Sequence, residues 1–275
     1  MADGGSPGIS RLERVLKRDR LIVAVCLLLV FTVGAAYTAA GIGMGQSAIA
    51  MTRIALEFPD MAMAPAAWTP GAAALMFGMW LAMMIAMMTP SAAPVVLIHA
   101  AVHRKQAGHG GPFGATGIFV AGYVAVWAGF SLLATALQWG LESLGVATGM
   151  MQIANPAIAG ATLIAAGLYQ LTPLKQTCLR QCQNPFNFIM GNWRAGRAGA
   201  FAMGARHGIY CIGCCWFLMA LLFVGGIMNL VWIAGIAIFI AIEKFAAGQR
   251  LVTAGTGIVL TAAGLMVLAR HTLAA

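Results

Sequence analysis

Residues 207–228 read HGIYCIGCCWFLMALLFVGGIM. The stretch has no Asp, Glu, Lys or Arg and is long enough to cross a bilayer as one helix. At about 100° of rotation per residue, His207, Cys211, Cys214 and Cys215 fall within roughly a third of the helix circumference. They share one face, with His207 at the mouth of the helix. Soft thiolates beside an imidazole suit a soft or borderline metal ion, and Cu(I) is favoured over Zn(II).

Composition extends this reading to the whole chain. Of 275 residues, 61% are hydrophobic and 8% charged, with a mean hydropathy of +0.88, values that exclude an ordinary soluble domain. The fold class is therefore all-α, a polytopic transmembrane helical bundle. About seven spans are expected, at 21–40, 70–98, 114–138, 156–171, 207–228, 230–242 and 251–269, preceded by a basic cytoplasmic segment over 1–20. The first span reads as an uncleaved anchor rather than a signal peptide.

A net charge of +9 would suit nucleic acid if it lay on a soluble face, but the basic residues lie between apolar spans. The partners are instead the lipid bilayer and a metal ion, with room for a protein partner in a membrane complex and none for nucleic acid. With the N-terminus inside, segments 1–20, 99–113, 172–206 and 243–250 are cytoplasmic and hold fourteen of the sixteen Lys and Arg residues. This asymmetry gives an N-in, C-out topology in a bacterial inner membrane.

Five of the six cysteines form two groups, Cys178 with Cys182 and Cys211 with Cys214 and Cys215. Cys178 and Cys182 are four apart in the polar connection 172–206, so a helical turn there points both thiols one way. A reducing cytoplasm favours metal ligation over disulfides, and Arg180 and Arg206 are expected to help ionise the thiols. Cys26 stands alone in the first span and reads as a packing residue.

A second pattern lies in the span from Pro70. Met76, Met79, Met83 and Met87 form one helical stripe, with Met84, Met88 and Trp80 beside it. Such a stripe is either an adaptable packing face or a thioether ladder for Cu(I). Pro90 and Pro94 are expected to kink or interrupt the far end, where His99 and His103 follow at ligand-like spacing. Residues 46–58 read as an interfacial helix, Met44, Met51, Met61 and Met63 as outer-loop methionines, and His109 as solvated. Glu243 and Lys244 read as a membrane-interface pair, Gln170 and Asn229 as interhelical hydrogen-bonding groups.

The segments MWLAMMIAMMTPS, QLTPLKQTCLRQCQNP and RHGIYCIGCCWFLMALLFVGGIMNLVW followed by EK together resemble a bacterial family known as predicted metal-binding integral membrane proteins. The resemblance covers about residues 70–243. It implies metal binding at Met83, Met84, Met87, Met88, Cys178, Cys182, His207, Cys211, Cys214 and Cys215, without an established reaction.

The expected function is binding of Cu(I), or else Zn(II), at a cytoplasmic-side Cys/His cluster for transport, delivery or homeostasis. A membrane thiol-disulfide oxidoreductase and a non-catalytic subunit or assembly factor are the alternatives. No Walker loop, dinucleotide fingerprint or nucleophile elbow is present, and an enzymatic activity is not the expectation.

Overall fold

A computed structural model describes residues 7–41, 46–57, 67–106, 113–149, 151–245 and 249–274. Met44, Met61, Met63 and His109 lie outside the described residues. The described residues are helical apart from short turns and one isolated bridge between Ala147 and Ile153. In chain order the helices are α1 (Pro7–Ala40), α2 (Ala48–Glu57), α3 (Pro70–Gln106), α4 (Phe113–Ser143), α5 (Pro156–Gln170) and α6 (Pro173–Gln183). They continue with α7 (Pro185–Gly191), α8 (Gly196–Ala220), α9 (Leu222–Gly225), α10 (Leu230–Phe245) and α11 (Gln249–Ala274).

Five stretches are long and apolar enough to cross a membrane: 18–40, 70–106, 113–143, 196–225 and 250–273. A sixth is reached if α5 and α6 count as one element, although the chain bends by 64° between them. The seven expected spans thus include two short helices, α5 with 15 residues and α10 with 16. At 1.5 Å per residue neither alone covers a hydrocarbon layer of about 30 Å.

The break after α5 is written in the sequence. Thr172 caps α6, its hydroxyl accepting from Lys175 N at 3.3 Å, and Pro173 opens the new helix where its missing N–H costs nothing. The connection 172–206 is therefore not a loop. It comprises α6, α7 and the first turns of α8, which begins at Gly196 rather than at His207.

Of the two outcomes expected for Pro90 and Pro94, interruption does not occur: both lie inside a helix that runs on to Gln106. Neighbouring hydroxyls bond to backbone carbonyls, Thr89 Oγ1 donating to Ile85 O at 2.6 Å and Ser91 Oγ to Met88 O at 2.9 Å.

α3 packs between α1 and α4, α4 against α8, and α6 against α8, while α5 pairs with α11. Small residues permit the close crossings. A Cβ on Gly204 of α8 would collide with Phe119 O of α4, and one on Gly264 of α11 would come within 2.6 Å of Gly160 O of α5.

α10 is capped by Asn229, whose Oδ1 accepts from Val231 N at 3.1 Å and Trp232 N at 3.4 Å. Asn229 also donates to Gly225 O, so it organises the break after α9 rather than joining two helices laterally. Cys26 is exposed on α1 and does not pack in the core.

Candidate functional site

The face expected of α8 is real and fully interior: His207, Cys211, Cys214 and Cys215 are all buried. His207 is not at the mouth of the helix, however. It lies about three turns in from Gly196. The polar connection beyond it continues the same helix.

α6 brings a fourth thiol to this face. Cys182 is buried and belongs to the same core cluster as Cys211, Cys214 and Cys215. Cys214 and Cys215 each direct their Sγ to Cys211 O at 3.0 Å. Among the described residues, no three His, Cys, Asp or Glu side chains are arranged around a common point as metal ligands. Cys214 and Cys215 are instead bonded to the Cys211 carbonyl.

Cys211 has two further partners that the sequence reading missed. Tyr123 Oη of α4 lies 3.2 Å from its Sγ, and Lys244 Nζ of α10 also lies 3.2 Å away. Lys244 is 4% exposed and donates besides to Ser91 Oγ at 3.0 Å. A buried ammonium needs an anion or strong acceptors around it, and the group facing Lys244 is this thiol cluster.

The neighbouring carboxylate is committed elsewhere. Glu243 receives Lys175 Nζ at 2.8 and 2.9 Å and Gln170 Nε2 at 3.2 Å, with Lys175 also bonded to Gln170. Glu243 and Lys244 are thus not an interface pair with each other, and Gln170 does bridge helices as expected. Arg206 is exposed over the Tyr210 ring and Arg180 is exposed on α6, so neither cation reaches the buried thiols. The signal for Lys244 was present in sequence: two adjacent opposite charges ending an apolar helix, each requiring a partner if buried.

Cys178 is set apart. It is only partly buried, and its Sγ lies against α8 at Gly213, where a Cβ would come within 2.7 Å of it. Tyr169 marks the same crossing by donating its hydroxyl to Gly213 O at 2.5 Å.

His207 occupies an aromatic box one turn from Cys211. Its ring stacks on Tyr123 at 5.7 Å and meets Phe188 at 5.1 Å between centroids, and its Nδ1 is buried without a hydrogen-bond partner. Phe119 separates it from His99 and lies 4.7 Å from that ring. His99 and His103 are side by side at 6.1 Å and line a cavity of about 180 Å³ with Trp193 and Arg194. His99 Nε2 and His103 Nδ1 are buried there without partners.

Met83, Met84, Met87 and Met88 are buried, between 0 and 4% exposed, and belong to the same core cluster as the four buried cysteines. Lys244 joins the two regions directly, bridging Ser91 of α3, one turn beyond Met87, to Cys211 of α8. Met83 and Met87 also line a cavity of about 400 Å³ between α1, α3 and α10.

Fold and interior together define a class: an all-helical protein with helices of membrane-spanning length and composition, whose core carries a thiol cluster faced by an ammonium. Residues 77–267 match the copper chaperone family PpoB2, and the chain belongs to that family. Comparison with curated proteins and with solved structures gave no match.

Proposed function

We propose that the protein holds Cu(I) between the thiolates of Cys211 and Cys214, with Cys182 beside them as a neutral thiol, and hands it over from there as a membrane-embedded copper chaperone. The observation that carries this reading is the contact of Lys244 with the buried thiol cluster. Cu(I) held by two thiolates has a net charge of −1, which one ammonium neutralises. Zn(II) in the same dithiolate leaves a buried excess of +1, so the surroundings suit the monovalent ion.

Cys215 supports the cluster through the Cys211 carbonyl, and His207 offers an adjacent nitrogen. The thioethers of Met83, Met84, Met87 and Met88 form a weaker approach along α3, and His99 with His103 a nitrogen-donor position at the other side. Thiols outrank both in affinity for Cu(I), so the cluster is the low point of the path.

The topology we adopt is N-in and C-out in the inner membrane, with α5 and α10 completing seven elements. Its support is that basic segments converge at one end. Arg104 of α3 pairs with Asp19 of α1 at 2.5 Å, and Arg194 shares a cavity with His103. α5 and α10 end at the level of the cluster, through Tyr169 to Gly213 and Lys244 to Cys211, whereas α3 and α8 extend beyond it. In this topology the thiols lie toward the cytoplasmic surface, with α3 and α8 projecting past it.

The test is copper per chain after purification under reducing conditions and loading with Cu(I), for the native protein and for Cys182→Ser, Cys211→Ser and Cys214→Ser. One tightly held copper per native chain, lost from the Cys211 and Cys214 variants, is expected. Unchanged stoichiometry in those variants would overturn the assignment.

A further inference from the structure

The buried thiols explain how Cu(I) is held but not how it is released, because Cys211, Cys214 and Cys215 are at most 2% exposed. No aqueous acceptor reaches them directly. Cys178 is the one thiol of the group that is only partly buried.

Its surroundings distinguish it from a packing residue. α6 is a polar helix, PLKQTCLRQCQ, and the neighbours Thr177 and Arg180 are exposed. Those side chains indicate an aqueous rather than a lipid setting. On its inner side Cys178 lies against Gly213, the residue that precedes Cys214 on α8. Glycine at 213 is what permits this approach, since any side chain there would occupy the thiol's position.

Resting on the reading of the cluster as a Cu(I) site, we propose that Cys178 is the exchange thiol through which the copper passes to a thiol-bearing acceptor in the aqueous phase. In the first step a bond forms from copper to Cys178 sulfur as the bond to Cys214 breaks, and the Cys178 proton moves to the released Cys214 thiolate. In the second, an acceptor sulfur bonds to copper as Cys178 leaves and takes that acceptor's proton, and a second acceptor thiol then displaces Cys211 in the same way, its proton passing to the Cys211 thiolate. Copper remains Cu(I) throughout and no electrons are exchanged.

Two variants interrogate the step in different ways. Cys178→Ser removes the thiol, while Gly213→Ala keeps it but pushes it from its place. The latter change is mild for the fold because the atom displaced is the end of a flexible side chain. The full chain in lipid nanodiscs is loaded with Cu(I), its affinity is measured by competition with a Cu(I) chelator, and its transfer to glutathione is followed by stopped flow.

Both variants are expected to keep the native affinity within about twofold and to transfer copper at least about tenfold more slowly, access being the limiting factor in thiol exchange. Cys182→Ser should instead lower the affinity. Native transfer rates in both Cys178→Ser and Gly213→Ala would overturn the exchange role. So would a loss of affinity in Cys178→Ser equal to that of Cys211→Ser, which would make Cys178 a resting ligand. Failure of the native protein to bind Cu(I) would refute the parent reading, and is seen in the affinity measurement before any rate is taken.

Discussion

Replacing Lys244 by Met tests the charge argument directly. Lys244 Nζ lies 3.2 Å from Cys211 Sγ, with its hydrogen bonds going to Cys211 and Ser91. At an effective dielectric near 20, a pair of unit charges at that separation is worth about 5 kcal/mol. Part of that gain offsets the desolvation of the ammonium, and the negative charge of a copper dithiolate is spread over three atoms. Roughly 2–3 kcal/mol should survive as differential binding, equivalent to a 30- to 150-fold weaker Cu(I) affinity. The variant should fold, because Met is apolar and similar in length, Ser91 still donates to Met88 O, and Cys211 keeps Tyr123. Competition against a Cu(I) chelator and, separately, a Zn(II) chelator measures both affinities. The expected result is weaker Cu(I) binding with Zn(II) binding unchanged or tighter. A Cu(I) affinity within threefold of native, or equal losses for both ions, would refute the reasoning and leave Lys244 a packing and hydrogen-bonding residue.

Breaking the buried ion pair with Glu243→Leu strands Lys175, which is 0% exposed, and should destabilise the protein by about 3–5 kcal/mol. Adding Lys175→Met should recover most of that loss, read as the detergent melting midpoint; no recovery would show that the pair acts through something other than its charge. Gly204→Val forces a side chain into Phe119 O at the α4–α8 crossing and should lower the melting midpoint by far more than Gly129→Ala, a position with open space around it. Met83→Leu with Met87→Leu is close to volume-conserving and should change stability by less than about 1.5 kcal/mol while slowing Cu(I) loading. Native loading kinetics in that double variant would reduce the stripe to a packing face.

The cysteine stripe was legible because helical periodicity is strict: four residues of α8 predicted on one face are all buried. The joining of α6 to that face was legible from the spacing of Cys178 and Cys182, but their different burial was not, because it depends on how α6 crosses α8 at Gly213. Helix boundaries were less visible. Arg197 and Arg206 made 196–206 look like connection, yet Gly204 there packs on Phe119 of α4, and Gly122 of α4 packs on the backbone of Phe201 and Ala205. Hydropathy marks where a helix can be in lipid, not where the helix starts. Pro90 and Pro94 suggested an end or a bend in α3, and the helix runs through both to Gln106.

The shortness of α10 is what keeps two charges in the interior. A span of full length would carry its terminal charges out to water, and Glu243 and Lys244 would then be the interface pair their position in sequence suggests. With 16 residues, α10 ends beside α6, α8 and Ser91 of α3, and both charges remain buried. Each then needs a separate partner. Glu243 takes Lys175, which ties α6 to α10, and Gln183 Nε2 strengthens the tie by donating to Glu243 O at 3.0 Å. Lys244 is left for the thiols. The ion pair that fixes α6 therefore also fixes the position of Cys182 against Cys211, and loosening it by Glu243→Gln should weaken Cu(I) binding even though no proposed ligand has changed. The comparison that decides this is the Cu(I) affinity of Glu243→Gln beside that of Arg53→Gln, which alters only an exposed pair with Glu57. Equal affinities in the two variants would mean that α6 is held in place without its buried ion pair.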